Sequence, residues 1–265
     1  MLSRSKTLLC SACIGLIATP AAADSFLSGN WYIRAGAAGI FAPTFEGSRS
    51  RKFSISPIIS VGRQGREARF SSRNDSPSIG ILETEIFRAG ISGKLLWKRD
   101  SSTSSDLRGL SPVKFGGELG GFAELYPTDW MRLRGELRHG IVSHDGVVGD
   151  ISADAFADLA PGLRLSAGPR ATYATKGYYD AYYGVDATES AASGLSRYTP
   201  GSGWKSVGVG TALTWSMTDN LSASAFAEYS RLTGPAADSS LVRERGNRNQ
   251  LMFGVSAAYK FNFGL

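Results

Sequence analysis

Cysteine, histidine and long apolar runs are what this 265-residue chain has least of. Its two cysteines, Cys10 and Cys13, both fall within the first 23 residues. The chain beyond them has no disulfide available, so an exported form is held by its fold alone. With only two histidines, His139 and His144, there is little material for a metal centre or a general base. No segment approaches the ~20 consecutive apolar residues of a membrane helix, which excludes a helical span. No run of five like charges occurs and the formal net charge is +6, so the footprint of a nucleic-acid binder is missing. Neither a cofactor nor a metal site is expected, and no residue is assigned a catalytic role.

What is present begins at the N-terminus. Arg4 and Lys6 precede an uncharged run from Thr7 to Thr19, and Ala21, Ala22 and Ala23 supply the small residues a signal peptidase needs. Residues 1–23 therefore read as a secretory signal and residues 24–265 as the mature domain. Removing Arg4 and Lys6 takes the net charge from +6 to about +4 (6 − 2). An exported chain without an apolar helix enters a membrane only as a barrel, which points to the cell outer membrane.

The strand period of two is the dominant signal. From Leu251 the alternate residues Phe253, Val255, Ala257, Tyr259, Phe261, Phe263 and Leu265 are set against Met252, Gly254, Ser256, Ala258, Lys260, Asn262 and Gly264. One face is apolar and the other small or polar, which is how the closing strand of an outer-membrane barrel reads. The same alternation recurs from Trp31 to Phe41, Phe53 to Val61, Phe87 to Trp97, Phe115 to Leu125, Val207 to Met217 and Leu221 to Tyr229. Two shorter runs lie near Ala68 to Ser72 and Ser78 to Leu82, separated by the turn residues Arg73 to Pro77.

In the middle of the chain the polar face becomes charged. Glu118 and Glu124, then Arg132, Arg134, Glu136 and Arg138, then Asp150, Asp154 and Asp158, then Arg164 and Arg170 alternate with apolar residues on successive strands. Hairpin turns near Pro127 to Asp129, His144 to Gly146 and Pro161 to Gly162 predict the pairs Arg138 with Asp150, Arg134 with Asp154, Glu124 with Arg132 and Asp158 with Arg164. Such pairing offsets the cost of crowding charge into a confined lumen, so the interior is expected to be largely filled by an Arg/Asp/Glu network.

Loop lengths set the topology. Short connections near 63–66, 83–85, 127–129, 160–162 and 218–220 alternate with longer ones at 43–52, 100–113, 176–202 and 233–248. The expectation is an all-β, transmembrane, antiparallel up-and-down barrel of about twelve strands with both termini on the periplasmic side. The count becomes ten if the two short runs do not span.

Two places invite a functional reading. His144 stands beside Asp145, but Asp145-Gly146 already explains a turn there. The loop from Lys176 to Gly203 holds Tyr178, Tyr179, Tyr182, Tyr183 and Tyr198, with a short helix expected from Asp186 as its cap to Gly194 as its stop. Exposed tyrosines suit adhesion, whereas a loop folded inward plugs the barrel.

Several separated segments carry a resemblance to one family. Pro43-Thr44-Phe45-Glu46-Gly47-Ser48, Ser143-His144-Asp145-Gly146-Val147-Val148, Tyr182-Tyr183-Gly184-Val185 with Ser190 to Leu195, and Asp238 to Gly246 resemble, in order, the signature segments of the MipA/OmpV family of outer-membrane proteins. That family usually stops at a Tyr-basic-Phe tripeptide like Tyr259-Lys260-Phe261, and Asn262 to Leu265 extend beyond it here. The resemblance implies a non-enzymatic scaffold linking an MltA-like lytic transglycosylase to a penicillin-binding murein synthase in peptidoglycan remodelling. It implies as alternatives a surface adhesin or antigen. A small-solute channel is a third reading. The surroundings implied are outer-membrane lipid, lipopolysaccharide and the barrel-assembly machinery.

Overall fold

A computed structural model describes residues 29–65 and 69–264 of the chain. The expected signal segment 1–23 lies outside the described residues, as do Ala68 at the head of one short run and the terminal Leu265. Eleven strands are formed: β1 (Asn30–Pro43), β2 (Arg51–Arg63), β3 (Ser78–Glu83), β4 (Phe87–Leu96), β5 (Gly116–Thr128), β6 (Met131–Ile141), β7 (Val147–Ala160), β8 (Leu163–Ala174), β9 (Gly203–Ser216), β10 (Leu221–Leu232) and β11 (Asn249–Gly264). Among the described residues the connections hold three short α-helices, α1 (Lys176–Tyr183), α2 (Ala187–Ser193) and α3 (Gly234–Asp238), with a 3-10 turn at Ser105–Leu107 and a π turn at Leu241–Arg245.

All eleven strands belong to one antiparallel sheet in the order β2-β1-β11-β10-β9-β8-β7-β6-β5-β4-β3. The all-β, up-and-down architecture read from the alternation is the architecture found. The sheet curls round its own interior until β2 and β3 come within 8 Å between Cα atoms. No ladder joins β2 and β3 among the described residues. Strands alternate in direction around the sheet, so an odd count leaves β2 and β3 running the same way.

The expected twelfth strand near Ala68 to Ser72 is where the count departs from expectation. Residues 70–76 do not pair into the sheet; they run through its interior, where Asp75 meets Arg132 and Ser72 meets Arg170. They lie between Arg69 at the short-turn rim and Pro77, whose carbonyl accepts from the Gly93 amide of β4 at 2.9 Å. The stretch has no apolar alternation to give it a lipid face, and Pro77 has no amide to offer a ladder. Its backbone turns on itself instead, with the Asp75 amide donating to the Ser72 carbonyl at 3.1 Å and the Ser72 amide to the Asp75 carboxylate at 2.8 Å.

Side chains sort by parity as a barrel requires. On β6, Arg132, Arg134, Glu136 and Arg138 are buried while Leu133 and Leu137 are exposed. Ile55 (74%), Leu95 (66%) and Val255 (64%) belong to the same outward apolar band. An apolar band of this extent needs hydrocarbon around it. Exposed aromatics edge the band. Trp97 packs on Phe115 and Tyr173 on Trp204 at one end, and Trp130, Trp215 and Tyr259 beside Phe261 lie at the other. Trp204 and Trp215 are 11 residues apart (215 − 204) on β9. At ~3.3 Å per residue and a tilt of ~40°, they stand about 28 Å apart along the barrel axis, close to the ~25 Å apolar band of such barrels.

The long connections expected near 43–52, 100–113, 176–202 and 233–248 gather at one end of the sheet together with the short 142–146, and the short turns 84–86, 129–130, 161–162 and 217–220 at the other. The short turn expected at 63–66 is not formed, because β2 ends at Arg63 and β3 starts only at Ser78. The long loops form the only sizeable conventional core among the described residues. Val148, Ala174, Tyr178, Tyr179, Tyr183, Leu232, Ala236, Ala237 and Val242 pack together there. Within this cap α2 starts and stops where expected. The Asp186 carboxylate accepts from the Glu189 amide at 2.7 Å, the Asp186 amide donates back to the Glu189 carboxylate at 3.0 Å, and Gly194 ends the helix at φ 77°.

If the exposed face meets lipid, Val255→Arg at the middle of β11 lowers unfolding free energy by about 2–4 kcal/mol, whereas Met217→Arg beside a turn costs about 1 kcal/mol or less. Urea titration of the protein refolded into lipid vesicles reads both values, and equal small effects would place the band in water.

Candidate functional site

The site is the barrel interior, built by the inward faces of β4 to β8 and by residues 70–76 lying against them. Its centre is Arg132, fully buried. Nη1 donates to Asp75 at 2.7 Å and to Glu124 at 3.2 Å; Nη2 donates to Asp75 at 2.9 Å and to Asp154 at 2.6 Å. The guanidinium face lies 4.7 Å over Phe70, which stacks on Phe156 at 4.8 Å. Arg134 donates to Glu124 and, at 2.7 Å, to Glu136. Arg138 donates to Glu118 at 2.8 Å and to Glu136 and Asp150. Arg170 bridges Asp154 at 3.3 Å and Ser72 at 2.7 Å. Every one of these carboxylates has a guanidinium in contact, which is the condition for keeping charge out of water.

The geometry brings together eight of the ten charged residues proposed from sequence. Arg138 reaches Asp150 and Arg132 reaches Glu124, but diagonally: the registers set Glu136 opposite Asp150 and Arg134 opposite Glu124, so neither is the opposite pair expected from the turns. Arg134 does not pair with Asp154, which goes to Arg132 and Arg170 instead. The β6–β7 register places Arg132 opposite Asp154 and Arg134 opposite Ser152, a shift of two residues. The connection 142–146 absorbs that shift with Val142 at φ 71° and a bond from the Gly140 amide to the Gly146 carbonyl at 2.9 Å. Asp158 and Arg164 do pair, at 2.7 and 2.9 Å, but they sit half-exposed at the short-turn rim rather than in the network. A rim pair is worth less than about 1 kcal/mol.

The tyrosines proposed as loop contacts are packed inward. Tyr178, Tyr179 and Tyr183 are buried on α1, and Tyr182 and Tyr198 are half-buried. Adhesion through exposed tyrosines is therefore not what this loop offers. Tyr178 stacks on Tyr182 at 4.7 Å, and its hydroxyl donates to the Glu46 carboxylate at 2.9 Å. Burial pushes the Tyr178 and Tyr183 hydroxyls well above the ordinary phenol range, so both stay neutral, Tyr178 as a donor to Glu46 and Tyr183 without a partner among the described residues. Burial alone would raise Glu46, but the charge of Lys205 and the bonds from Lys205 and Tyr178 outweigh it and hold the carboxyl below its ordinary value.

His144 is also fixed in place. Its Nδ1 accepts from the Gly146 amide at 3.1 Å, so Nε2 carries the proton and faces Glu118 at 3.1 Å. Asp145 turns outward into solvent, so the His144–Asp145 pair offered by the sequence does not assemble. His139 is exposed on the outward face of β6.

Sequence reasoning missed the interior segment itself. Asn74 bonds Glu228 on β10, Arg73 lies 4.5 Å over Phe226, and the Ser76 amide donates to Glu136 at 3.1 Å. The usable signal was the length of β3. Six residues cannot cross a bilayer that needs ~9–11 per strand.

Comparison with known proteins adds the following. The family model described as "MltA-interacting protein MipA" matches residues 35–261. No curated protein sequence matches the chain. Among solved structures the chain is similar to a bacterial polysaccharide outer membrane secretin (12% identity, 89% of this chain and 99% of that one, TM-score 0.44). It is also similar to the NanC porin (7%, 87% and 100%, 0.43) and to the outer membrane protein OprG from Pseudomonas aeruginosa (10%, 88% and 96%, 0.30).

Removing the central cation tests the network. Arg132→Met leaves Asp75, Glu124 and Asp154 short of a partner and is expected to destabilise the barrel by about 3–5 kcal/mol. Arg164→Met at the rim is expected to cost less than about 1 kcal/mol. Denaturant unfolding in micelles separates the two, and similar losses would mean the interior charges are solvated.

Proposed function

The chain belongs to the MipA family and is an outer-membrane β-barrel protein, and from that premise we propose that it is a non-enzymatic, non-conducting scaffold of murein turnover. It holds an MltA-like lytic transglycosylase near a penicillin-binding murein synthase. The observation that carries this reading is the match, over most of the chain, to a family described by its interaction with MltA.

The geometry supports it from the negative side. A transport barrel keeps a path open, whereas here residues 70–76 cross the lumen on the Arg132–Asp75 bonds and the long loops cap one mouth. His144 is held by a backbone amide and by Glu118, which leaves it no substrate to serve. The face available to periplasmic enzymes is the short-turn end, with turns at 84–86, 129–130, 161–162 and 217–220 and the rim pairs Arg164–Asp158 and Arg69–Asp129. The surrounding medium is outer-membrane lipid with lipopolysaccharide on the loop side, reached through the barrel-assembly machinery after export.

The test is capture of a purified MltA-like transglycosylase by the refolded barrel in nanodiscs. Saturable binding that survives deletion of residues 180–196 is expected, because that deletion alters only the loop end. Absence of a complex with a barrel of native heat-modifiable mobility would remove the scaffold reading. Planar-bilayer recording is expected to show silence from the intact protein and steady conductance when residues 70–76 are replaced by a short Gly/Ser linker. Steady conductance from the intact protein would bring a solute channel forward instead.

A further inference from the structure

The barrel wall is interrupted along one line. β2 and β3 approach within 8 Å between Cα atoms, yet no ladder joins them among the described residues. β3 has 6 residues where β2 has 13, so much of the β2 edge has no strand beside it. Within a bilayer, unpaired backbone is tolerated only where it faces protein or a water-filled cavity. A cavity of about 420 Å³ lies there, lined without a gap by Pro57 to Val61 and by Ser76 to Ser78, the two sides of the seam. Consecutive residues from both faces of β2 line it, so it reaches the free edge of the strand. Its volume falls within the roughly 300–1,000 Å³ of small-ligand sites.

The lining departs from the polar lumen usual in such barrels. Ile58, Ala212, Phe226 and Met252 line the cavity and pack with the buried Ala38 and Ile40 into an apolar cluster inside the barrel. Toward the short-turn end of the same cavity stands Arg34, inward on β1. The registers set it opposite Ser60 and Lys260, with Ile58, Gly62, Ala258 and Asn262 diagonal to it, so no carboxylate neighbours it on either adjoining strand. The carboxylates that line the cavity are held elsewhere: Asp75 and Glu124 by Arg132, and Glu228 by Asn74 with Arg170 at 3.8 Å. Glu83 on β3 bonds Arg88 at 2.8 Å. Arg34 takes part in no ion pair among the described residues.

The depth of Arg34 bears on the ligand. Lys260, opposite it, lies between Tyr259 and Phe261 of the short-turn girdle. Aromatic girdles mark the headgroup level of a bilayer. A fatty acid floats with its carboxylate at that level and its chain deeper. Ile58 and Phe226 likewise lie further from the short-turn end than Arg34, level with Gly36 and Ile40 of β1.

We propose that the hollow side of the lumen binds a fatty acid that enters from the bilayer through the seam between β2 and β3. Arg34 and the Ser60 hydroxyl take the carboxylate, and the chain lies along Ile58, Phe226 and Met252. The ligand moves sideways at its own depth, so its charge never crosses hydrocarbon. An alcohol of equal length has the chain without the charge, which makes the carboxylate the discriminating group.

The test is photo-crosslinking, in nanodiscs holding the refolded protein, of a palmitate that carries a diazirine at its chain end, with the labelled residues read by mass spectrometry. Labelling of inward residues around Ile58 and Met252 is expected, displaced by laurate but not by dodecanol, and weakened at least tenfold in Arg34→Gln. Ile58→Trp, which fills the cavity, is expected to give the same loss and serves if Arg34→Gln does not refold. Arg164→Gln at the rim is expected to label as the parent does. Residues 24–265 contain no cysteine, so a disulfide introduced between 57–61 and 78–80 closes the seam. That bridge is expected to cut labelling at least tenfold until it is reduced. Labels confined to outward residues such as Val255 would overturn the proposal. So would equal displacement by dodecanol, parental labelling of a folded Arg34→Gln or Ile58→Trp protein, or full labelling with the seam bridged.

Discussion

One guanidinium with no exposed surface organises this molecule. Arg132 joins β5, β6, β7 and the interior segment through Glu124, Asp154 and Asp75. Nη1 and Nη2 meet carboxylates while Nε is buried without an acceptor among the described residues. A charge this far from water needs anions around it, so its position dictates that carboxylates arrive from three other places. Glu124 and Asp154 come from neighbouring strands by register. Asp75 has no strand to bring it, and the chain meets the requirement by leaving the sheet. The departure from a closed, even-numbered barrel thus follows from electrostatics in the lumen as much as from the sheet.

The wall opposite is of another kind. The inward positions of β9, β10, β11 and β1 hold Thr214, Ser222, Ser224, Ser256 and Ala258, with few charges, and a cavity of about 420 Å³ remains between them and residues 70–78. The interior is therefore filled on its charged side and hollow on its hydroxylated side. Contacts across the gap are few: Asn74 to Glu228, and Arg73 over Phe226.

Much of this was legible in the residues. Alternation on β6 and β11 identified both faces, because a period of two leaves no other way to separate Leu133 from Arg132. Asp186, Glu189 and Gly194 announced α2 because capping chemistry is local. What escaped was non-local. Arg73 to Pro77 are turn-forming types, and the same short polar side chains that make turns also fasten a segment to a charged wall, so composition could not tell the two apart. The two-residue displacement of β7 against β6 was hidden because either register keeps every side chain on its proper face. The tyrosines of α1 were visible as a cluster, but whether an amphipathic ring faces water or a cap depends on loops far away in sequence.

The β1–β11 pairing carries a kinetic consequence. Trp31 lies opposite Phe263, a separation of 232 residues (263 − 31), whereas Asp75 and Arg132 are 57 apart. Closing a loop costs entropy that grows with its length, so contacts of high sequence separation form late. The interior segment thus fastens to β6 while the sheet is still an open ribbon, and the first and last strands then shut around a lumen already occupied. Assembly of this barrel is a wrapping, in which the contents are laid down before the wall is sealed.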